Sequence, residues 1–323
     1  MKDNIFYKQK VLVTGGSGMI GRQLVPMLLE KGAEVFVADL NESVGMPDNI
    51  NFIKVDLKNY SACIDICKDK DYIFNLVGIK ASPKICSEKP ASIMGPMMQF
   101  NTNMLEAAMQ SNIKWYLYTS TVGVYQPSEI LREDDVWNTF PSKNDWFGGW
   151  AKRMGELQVE AYARQNGENI CSIIRPANVY GPYDNFDIEN AMVIPSLIRK
   201  ADENEILEVW GDGTQIRDFI YAEDVARGMM FAVENKINPP INLGSGTGVA
   251  ISQISEIISQ RFNKKIKYLT DASSGDPIRI LDMSRAKSYG FDLKYSLLEG
   301  INKSIDWYLE NRNIINKRYN VFH

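Results

Sequence analysis

Residues 10–21, KVLVTGGSGMIG, carry the pattern that decides the fold. Lys10-Val11-Leu12-Val13-Thr14 is a short apolar, β-branched run with the length of a buried strand, and the segment that follows, GRQLVPMLLEKG, repeats its apolar residues at helical spacing. Between the two, Gly15, Gly18 and Gly21 meet three steric needs: a tight turn, an approach of ligand to bare backbone, and a helix packed close to a strand. The start of the helix, at Met19 and Ile20, offers unpaired N–H groups and the positive end of a dipole to an anion. Eighteen residues past Gly21, Asp39 ends the next apolar run, EVFVAD. A carboxylate there can accept both hydroxyls of an adenosine ribose and repels a 2′-phosphate. Strand, glycines, helix and acid in this order predict an NAD site rather than an NADP site. A solvated loop aspartate is the plainer alternative for Asp39, and Arg22 is a basic neighbour that can tolerate the extra phosphate.

Outward from this turn, short apolar runs alternate with helix-period segments as far as about residue 175: EVFVAD, NFIKV, DYIFNLV, WYLYTS and NICSIIR read as strands, and MGELQVEAYARQNG as a helix. Alternation at this spacing implies right-handed crossovers and a parallel sheet. The expected class is α/β, a Rossmann-type doubly wound parallel sheet over residues 1–175 with a smaller C-terminal α/β substrate lobe over 176–323, part of 216–246 returning to the first domain. Pro26 falls inside the first helix and removes one backbone hydrogen bond there. Beyond residue 176, Gly, Pro and Asn clusters such as RPANVYGPYDN and VWGDGTQIRD give the texture of loops and short elements. No internal repeat is present.

Composition excludes several classes. The 323 residues are 45% hydrophobic, enough for one large core and a smaller one. The 36 basic and 40 acidic residues are interspersed and sum to -4, so no basic field attracts nucleic acid. No run approaches the ~20 apolar residues that span a bilayer, and the N-terminus lacks the apolar core of a signal peptide, so a cytoplasmic protein without a membrane partner is expected. Cys63, Cys67, Cys86 and Cys171 form no CxxC pair and read as small core residues, not as disulfides or metal ligands. No metal site is expected. The only histidine is the last residue, His323, so acid/base chemistry falls to Tyr, Lys, Asp, Glu, Ser or Thr.

Further motifs follow the predicted strands. Asp56-Leu57 comes after the third and Asn75-Leu76-Val77-Gly78 closes the fourth, while Thr119-Ser120-Thr121-Val122-Gly123-Val124-Tyr125 ends the fifth. Later come Arg175-Pro176-Ala177-Asn178-Val179-Tyr180-Gly181-Pro182, Gly211-Asp212-Gly213 with Arg217-Asp218-Phe219, and Asp276-Pro277-Ile278-Arg279. Together with TGGSGMIG these segments resemble, in order and over nearly the whole length, the extended short-chain dehydrogenase/reductase family, which modifies nucleotide-linked sugars. The resemblance implies that Asp56 and Leu57 contact adenine, that Val77 lies over the cofactor, and that Thr121 is the catalytic threonine. It places Pro176 and Asn178 near nicotinamide and substrate, and has Arg217 and Arg279 grip the substrate's diphosphate from Gly-rich loops. Such cationic forks are what a diphosphate requires, surface ion pairs being the alternative. The resemblance also implies a homodimer, paired as a four-helix bundle through the helices around 96–110 and 148–166. Met104, Leu105 and Ala108 on one, and Leu157, Val159 and Tyr162 on the other, give an apolar face that own-core packing explains equally well.

One position departs from the family. Its YxxxK pattern places a tyrosine four residues before Lys152, and FGGWAK puts Gly148 there. Lys152 can still hold the nicotinamide ribose and lower the pKa of a nearby acid. The base is then Thr121 acting with a water, Tyr125, or Lys80 or Lys84 in the substrate-side loop 78–84; otherwise the chemistry is absent. NAD favours reactions that return their hydride over net reduction. The family's common 4,6-dehydratases carry an Asp-Glu or Ser-Glu pair just after the catalytic threonine, where this chain has Val122 and Gly123. Even so, NDWFGGWAKRMGELQ and RPANVYGPYDNFDIENAMVIPSLIRKA are most similar to the GDP-N-acetylglucosamine 4,6-dehydratases of legionaminic acid synthesis, and GPYDNF to GDP-fucose synthases. The expected activity is 4,6-dehydration of a GDP-linked amino sugar with recycled NAD. The alternatives are nucleotide-sugar 4-epimerisation and non-catalytic binding of NAD and a nucleotide sugar.

Overall fold

Lys10–Thr14 lies inside a seven-stranded parallel sheet whose strands run, edge to edge, Ile241–Leu243, Cys171–Pro176, Trp115–Thr119, Tyr72–Asn75, Lys10–Thr14, Glu34–Asp39 and Asn51–Lys54. The computed structural model describes residues 4–42, 45–80, 83–187, 189–270 and 276–313. The strand order reverses between Lys10–Thr14 and Tyr72–Asn75, so the crevice at their carboxyl ends is the switch point where doubly wound sheets bind ligands. The expected α/β sheet is present.

Side chains that alternate along each strand divide the core between two faces. Val11, Val13, Val35, Val37 and Phe74 point to the side covered by helices Gly21–Glu30 and Ala222–Glu234. Leu12, Ala38, Ile73, Tyr116 and Tyr118 point to the other, covered by Tyr60–Cys67, Pro90–Gln110 and Trp146–Asn166. Both faces are apolar, which is why these strands read as near-continuous hydrophobic runs. The last two helices pack on each other through the sequence-predicted face: Met104, Leu105, Ala108 and Val159 are buried, whereas Leu157 remains 44% exposed. Among the described residues no helix is long and apolar enough to cross a membrane.

A third cluster, including Phe186, Ile198, Leu207, Ile254, Ile305 and Tyr308, sits among helices Val193–Glu203, Ile251–Phe262 and Leu297–Glu310. Two short pairings connect this lobe to the sheet. Asn178–Tyr180 runs parallel to Phe219–Tyr221, and a four-stranded sheet joins Val249–Ala250, Ile216–Arg217, Ile278–Leu281 and Ile130–Leu131. Arg217 and Arg279 therefore stand on strands and not, as local Gly and Pro density suggested, in loops. His323 lies outside the described residues.

Candidate active site

The glycine turn is shaped around its neighbours. Gly15 has φ +67°, and a β-carbon there would fall 3.1 Å from the Val77 backbone, so the turn needs both left-handed backbone and a bare α-carbon. A β-carbon on Gly21 would come within 2.4 Å of the Gly16 carbonyl oxygen, the contact that seals helix against turn. The Asp39 carboxylate closes the cradle, accepting from the amides of Ser17 at 3.1 Å and Leu40 at 2.8 Å. Ile20 caps a helix with no acid in its first turn, Met19 is buried beside it, and the buried Ser17 hydroxyl has no hydrogen-bond partner. An orphaned hydroxyl beside a helix start that bears no acid fits a pyrophosphate, and Asp39 fits a ribose. Leu57 is buried and Asp56 exposed at the adenine end of the crevice, while Arg22 donates to the Ser17 carbonyl at 3.2 Å and stacks over Tyr183 of the lobe.

At the other end of the crevice, Thr121 follows the strand Trp115–Thr119, its hydroxyl accepting from the Gly123 amide at 3.2 Å. Lys152 is buried and donates to the carbonyls of Thr119 at 2.7 Å and Val77 at 3.3 Å. Burial pushes its ammonium down to about 7, with Glu156 opposing. One turn earlier on the same helix face stands Gly148, where a β-carbon would meet no atom within 4 Å. Nothing in its surroundings requires glycine at that position, and the described neighbours leave room for a side chain.

Two sequence candidates for the base are engaged elsewhere. Tyr125 lies in the core, donating to Asn242 at 2.6 Å and accepting from Arg175 at 3.1 Å, and burial raises its phenol further above neutrality. It serves the core, not the crevice. Lys80 pairs with the buried Asp184 at 3.0 Å and reaches the Val179 carbonyl, tying its loop to the lobe. The side chain of Lys84 lies outside the described residues.

On the substrate side, Arg217 and Arg279 are register partners on adjacent parallel strands. Burial and its neighbour Arg279 both lower the Arg217 pKa. Arg279 is held by Asp276, at 2.8 Å from its Nε, and by Asp145, at 2.6 Å from its Nη1. Asp145 immediately precedes the helix that carries Gly148 and Lys152, so this ion pair ties Arg279 to the start of that helix. The Asn178 amide donates to the Asp218 carbonyl at 2.9 Å and thereby fixes the strand pairing beside buried Pro176.

The family profile described as NAD dependent epimerase/dehydratase matches residues 11–244. The chain belongs to the NAD-dependent epimerase/dehydratase family. A GDP-L-fucose synthase of Sinorhizobium fredii is 28% identical, the match covering 94% of this chain and 96% of that one. The epimerase Mth375 of Methanothermobacter thermautotrophicus superimposes with a TM-score of 0.86 at 25% identity, over 97% of this chain and 96% of that one. The UDP-N-acetylglucosamine 4-epimerase of Methanobrevibacter ruminantium, solved with UDP-N-acetylmuramic acid, gives 0.84 at 27% identity, over 94% and 99%. These relatives are a synthase and epimerases, so the expected kinship with dehydratases rests on this chain's residues and not on them.

Several residues that organise this family member's site have roles that a motif match does not give. Arg175 and Glu156 form a fully buried pair at 2.6 Å; Glu156 also accepts from Ser120, and Arg175 donates to the Glu133 carbonyl at 2.8 Å. Arg153 donates twice to the Val124 carbonyl, at 2.8 and 2.6 Å, and once to the Thr139 carbonyl, pinning the loop after Thr121. Asp218 accepts from Ser245, Gly246 and Leu281 and holds the strand next to Arg217. The spacing Lys152-x-x-x-Glu156 was visible, since it puts an acid one turn from the lysine on the same face. Its partner, nineteen residues on in Arg175, was not.

Proposed function

We propose that the protein retains NAD, oxidises C4 of a GDP-linked amino sugar, and removes water across C5 and C6 of the resulting 4-keto sugar. The observation that carries this reading is the Asp145–Arg279 ion pair, at 2.6 Å, which brings a pair of diphosphate-binding arginines to the helix end that faces Thr121. The fucose synthase relative supports GDP as the carrier, and Asp39 supports NAD over NADP. When bound, the nicotinamide supplies the acceptor for the C4 hydride and returns it after elimination. Arg217 and Arg279 hold the diphosphate, and the Thr121 hydroxyl orients the C4 hydroxyl. Lys152, with an amine that exchanges its proton near neutrality, receives the C4 hydroxyl proton through a water in the space beside Gly148.

Incubation of the purified protein with NAD and GDP-N-acetylglucosamine in deuterated water tests this. Mass spectrometry should show a product lighter by one water and labelled at C5. A second reading, 4-epimerisation, is favoured by the likeness to the UDP-N-acetylglucosamine 4-epimerase and by Val122 and Gly123, which bear no acid. It gives an isomer of unchanged mass without C5 label. Binding with no turnover refutes both.

A further inference from the structure

The position two residues beyond Thr121 bears no side chain, yet the space it would use is filled. A β-carbon built on Gly123 would fall 3.2 Å from Cβ and 3.3 Å from Cγ of Asp145, and 3.5 Å from Cγ2 of Thr121. The Asp145 side chain thus occupies the space into which a side chain at 123 would project, and the methyl of Thr121 borders the same space. Two glycines make this possible: Gly123 leaves the volume open, and Gly149, whose β-carbon would lie 2.4 Å from the Gly123 carbonyl oxygen, lets the helix start come down onto the Thr121 loop. The turn Lys143–Asp145 is fixed in turn, with the Asp145 amide donating to the Ser142 carbonyl at 3.0 Å and the Ser142 hydroxyl accepting from the Asn144 amide at 3.2 Å. Among the described residues, Arg279, at 2.6 Å, Arg217, and Cys86, whose thiol burial pushes up to about 11, face the carboxylate, and Asp276 shares the Arg279 guanidinium with it.

Building on the reading above, we propose that Asp145 is the acid/base residue for the proton at C5 of the 4-keto sugar, delivered from the start of a helix in place of a side chain at position 123. The C5–H bond breaks with its proton passing to the Asp145 carboxylate. Its electron pair forms the C5–C6 double bond as the C6–O bond breaks. The departing hydroxyl takes the proton back from the Asp145 carboxyl and leaves as water, which returns the carboxylate. No electrons are gained or lost in this step; reduction of the double bond then needs a hydride at C6, which a bound nicotinamide would supply, and a solvent-derived proton at C5, which sets the label there.

The test compares wild type with Asp145→Asn and Asp145→Glu, each as the full chain with NAD and GDP-N-acetylglucosamine in deuterated water. Nicotinamide reduction in a single turnover, C5 label and water loss are read separately. At saturating nucleotide sugar, Asp145→Asn should lower C5 exchange and water loss by roughly 10²–10⁴ beyond whatever hydride transfer loses through the loosened Arg279, the scale of a lost acid/base group. Asp145→Glu should recover part of both. The assignment is overturned if Asp145→Asn exchanges C5 at the wild-type rate. A parallel fall of hydride transfer and C5 exchange, with the glutamate no better than the amide, also overturns it, since that pattern marks a mere tether for Arg279. Wild-type C5 exchange without water loss, dependent on Asp145, removes the dehydratase reading and keeps the assignment; a wild type with no C5 exchange overturns it. Should the amide fail to fold, Asp145→Ser removes the acid with a smaller side chain and carries the same comparison.

Discussion

Gly148 and Gly149 are adjacent in sequence, adjacent in one helix, and predicted to respond oppositely to alanine. Replacing a helical glycine by alanine restores up to about 1 kcal/mol of backbone propensity. At Gly148 the new β-carbon meets no atom within 4 Å, so the gain stands unopposed. At Gly149 the β-carbon would lie 2.4 Å from the Gly123 carbonyl oxygen and 2.8 Å from Pro141 Cβ, and the first of these is backbone, which cannot swing aside. Forcing a methyl into packed structure costs about 1–3 kcal/mol, so Gly149→Ala should end about 0–2 kcal/mol less stable than wild type and about 1–3 kcal/mol below Gly148→Ala. Urea unfolding of the two variants measures the difference. Because the collision moves the helix away from Thr121, Gly149→Ala should also lose turnover, while Gly148→Ala keeps it. Equal stabilities, or a Gly148→Ala less stable than Gly149→Ala, would refute the packing argument and with it the reason Asp145 reaches Thr121.

Two further outcomes follow from buried charge. Glu156→Ala leaves the fully buried Arg175 without its carboxylate, which should cost about 3–5 kcal/mol in urea unfolding, and a loss below 1 kcal/mol would show that water reaches the guanidinium. Lys152 is depressed from 10.5 to about 7 by burial, so between these values the unfolded chain binds more protons than the folded one. Its contribution to stability is therefore fully present above the unfolded value and is lost as pH falls through about 7. Relative to Lys152→Met, wild type should gain at most about 1.4 kcal/mol per pH unit between these limits and nothing below them, and parallel stability curves from pH 6 to 10 would contradict the burial.

What the sequence disclosed was local. The strand, glycine turn and helix of 10–30 are legible because each depends on neighbours within a few residues, and the parallel strands because burial on both faces makes them apolar throughout. Motif spacing singled out Lys152 and Thr121, and the fold sets Lys152 against the backbone just after the fourth sheet strand, at Val77, and at the end of the fifth, at Thr119. Tyr125 was misassigned because its role is set by Arg175 and Asn242, 50 and 117 residues away, and nothing near Tyr125 announces them. Arg217 and Arg279 looked like loop residues because the strands that carry them are short and are paired only across long separations in sequence, 62 residues in the case of each other.

The same distinction explains why Gly148 seemed to leave the site without chemistry. A motif search asks what stands at one position of a helix and finds no tyrosine. The fold asks which groups the helix brings to Thr121, and its answer includes the residue just before the helix begins. Asp145 reads in sequence as an ordinary first-turn acid, favourable to the helix dipole and otherwise unremarked. It becomes a candidate only when Gly123 and Gly149 let two backbones close to within van der Waals reach and when Arg279 arrives from 134 residues away to orient it. On this assignment the proton chemistry sits one turn nearer the diphosphate-binding arginines than the family's tyrosine does, so binding of the nucleotide and positioning of the acid share one ion pair. Substitution at Arg279 should then disturb C5 proton exchange as well as affinity, whereas substitution at Arg217, which acts on Asp145 through charge alone, should act mainly on affinity.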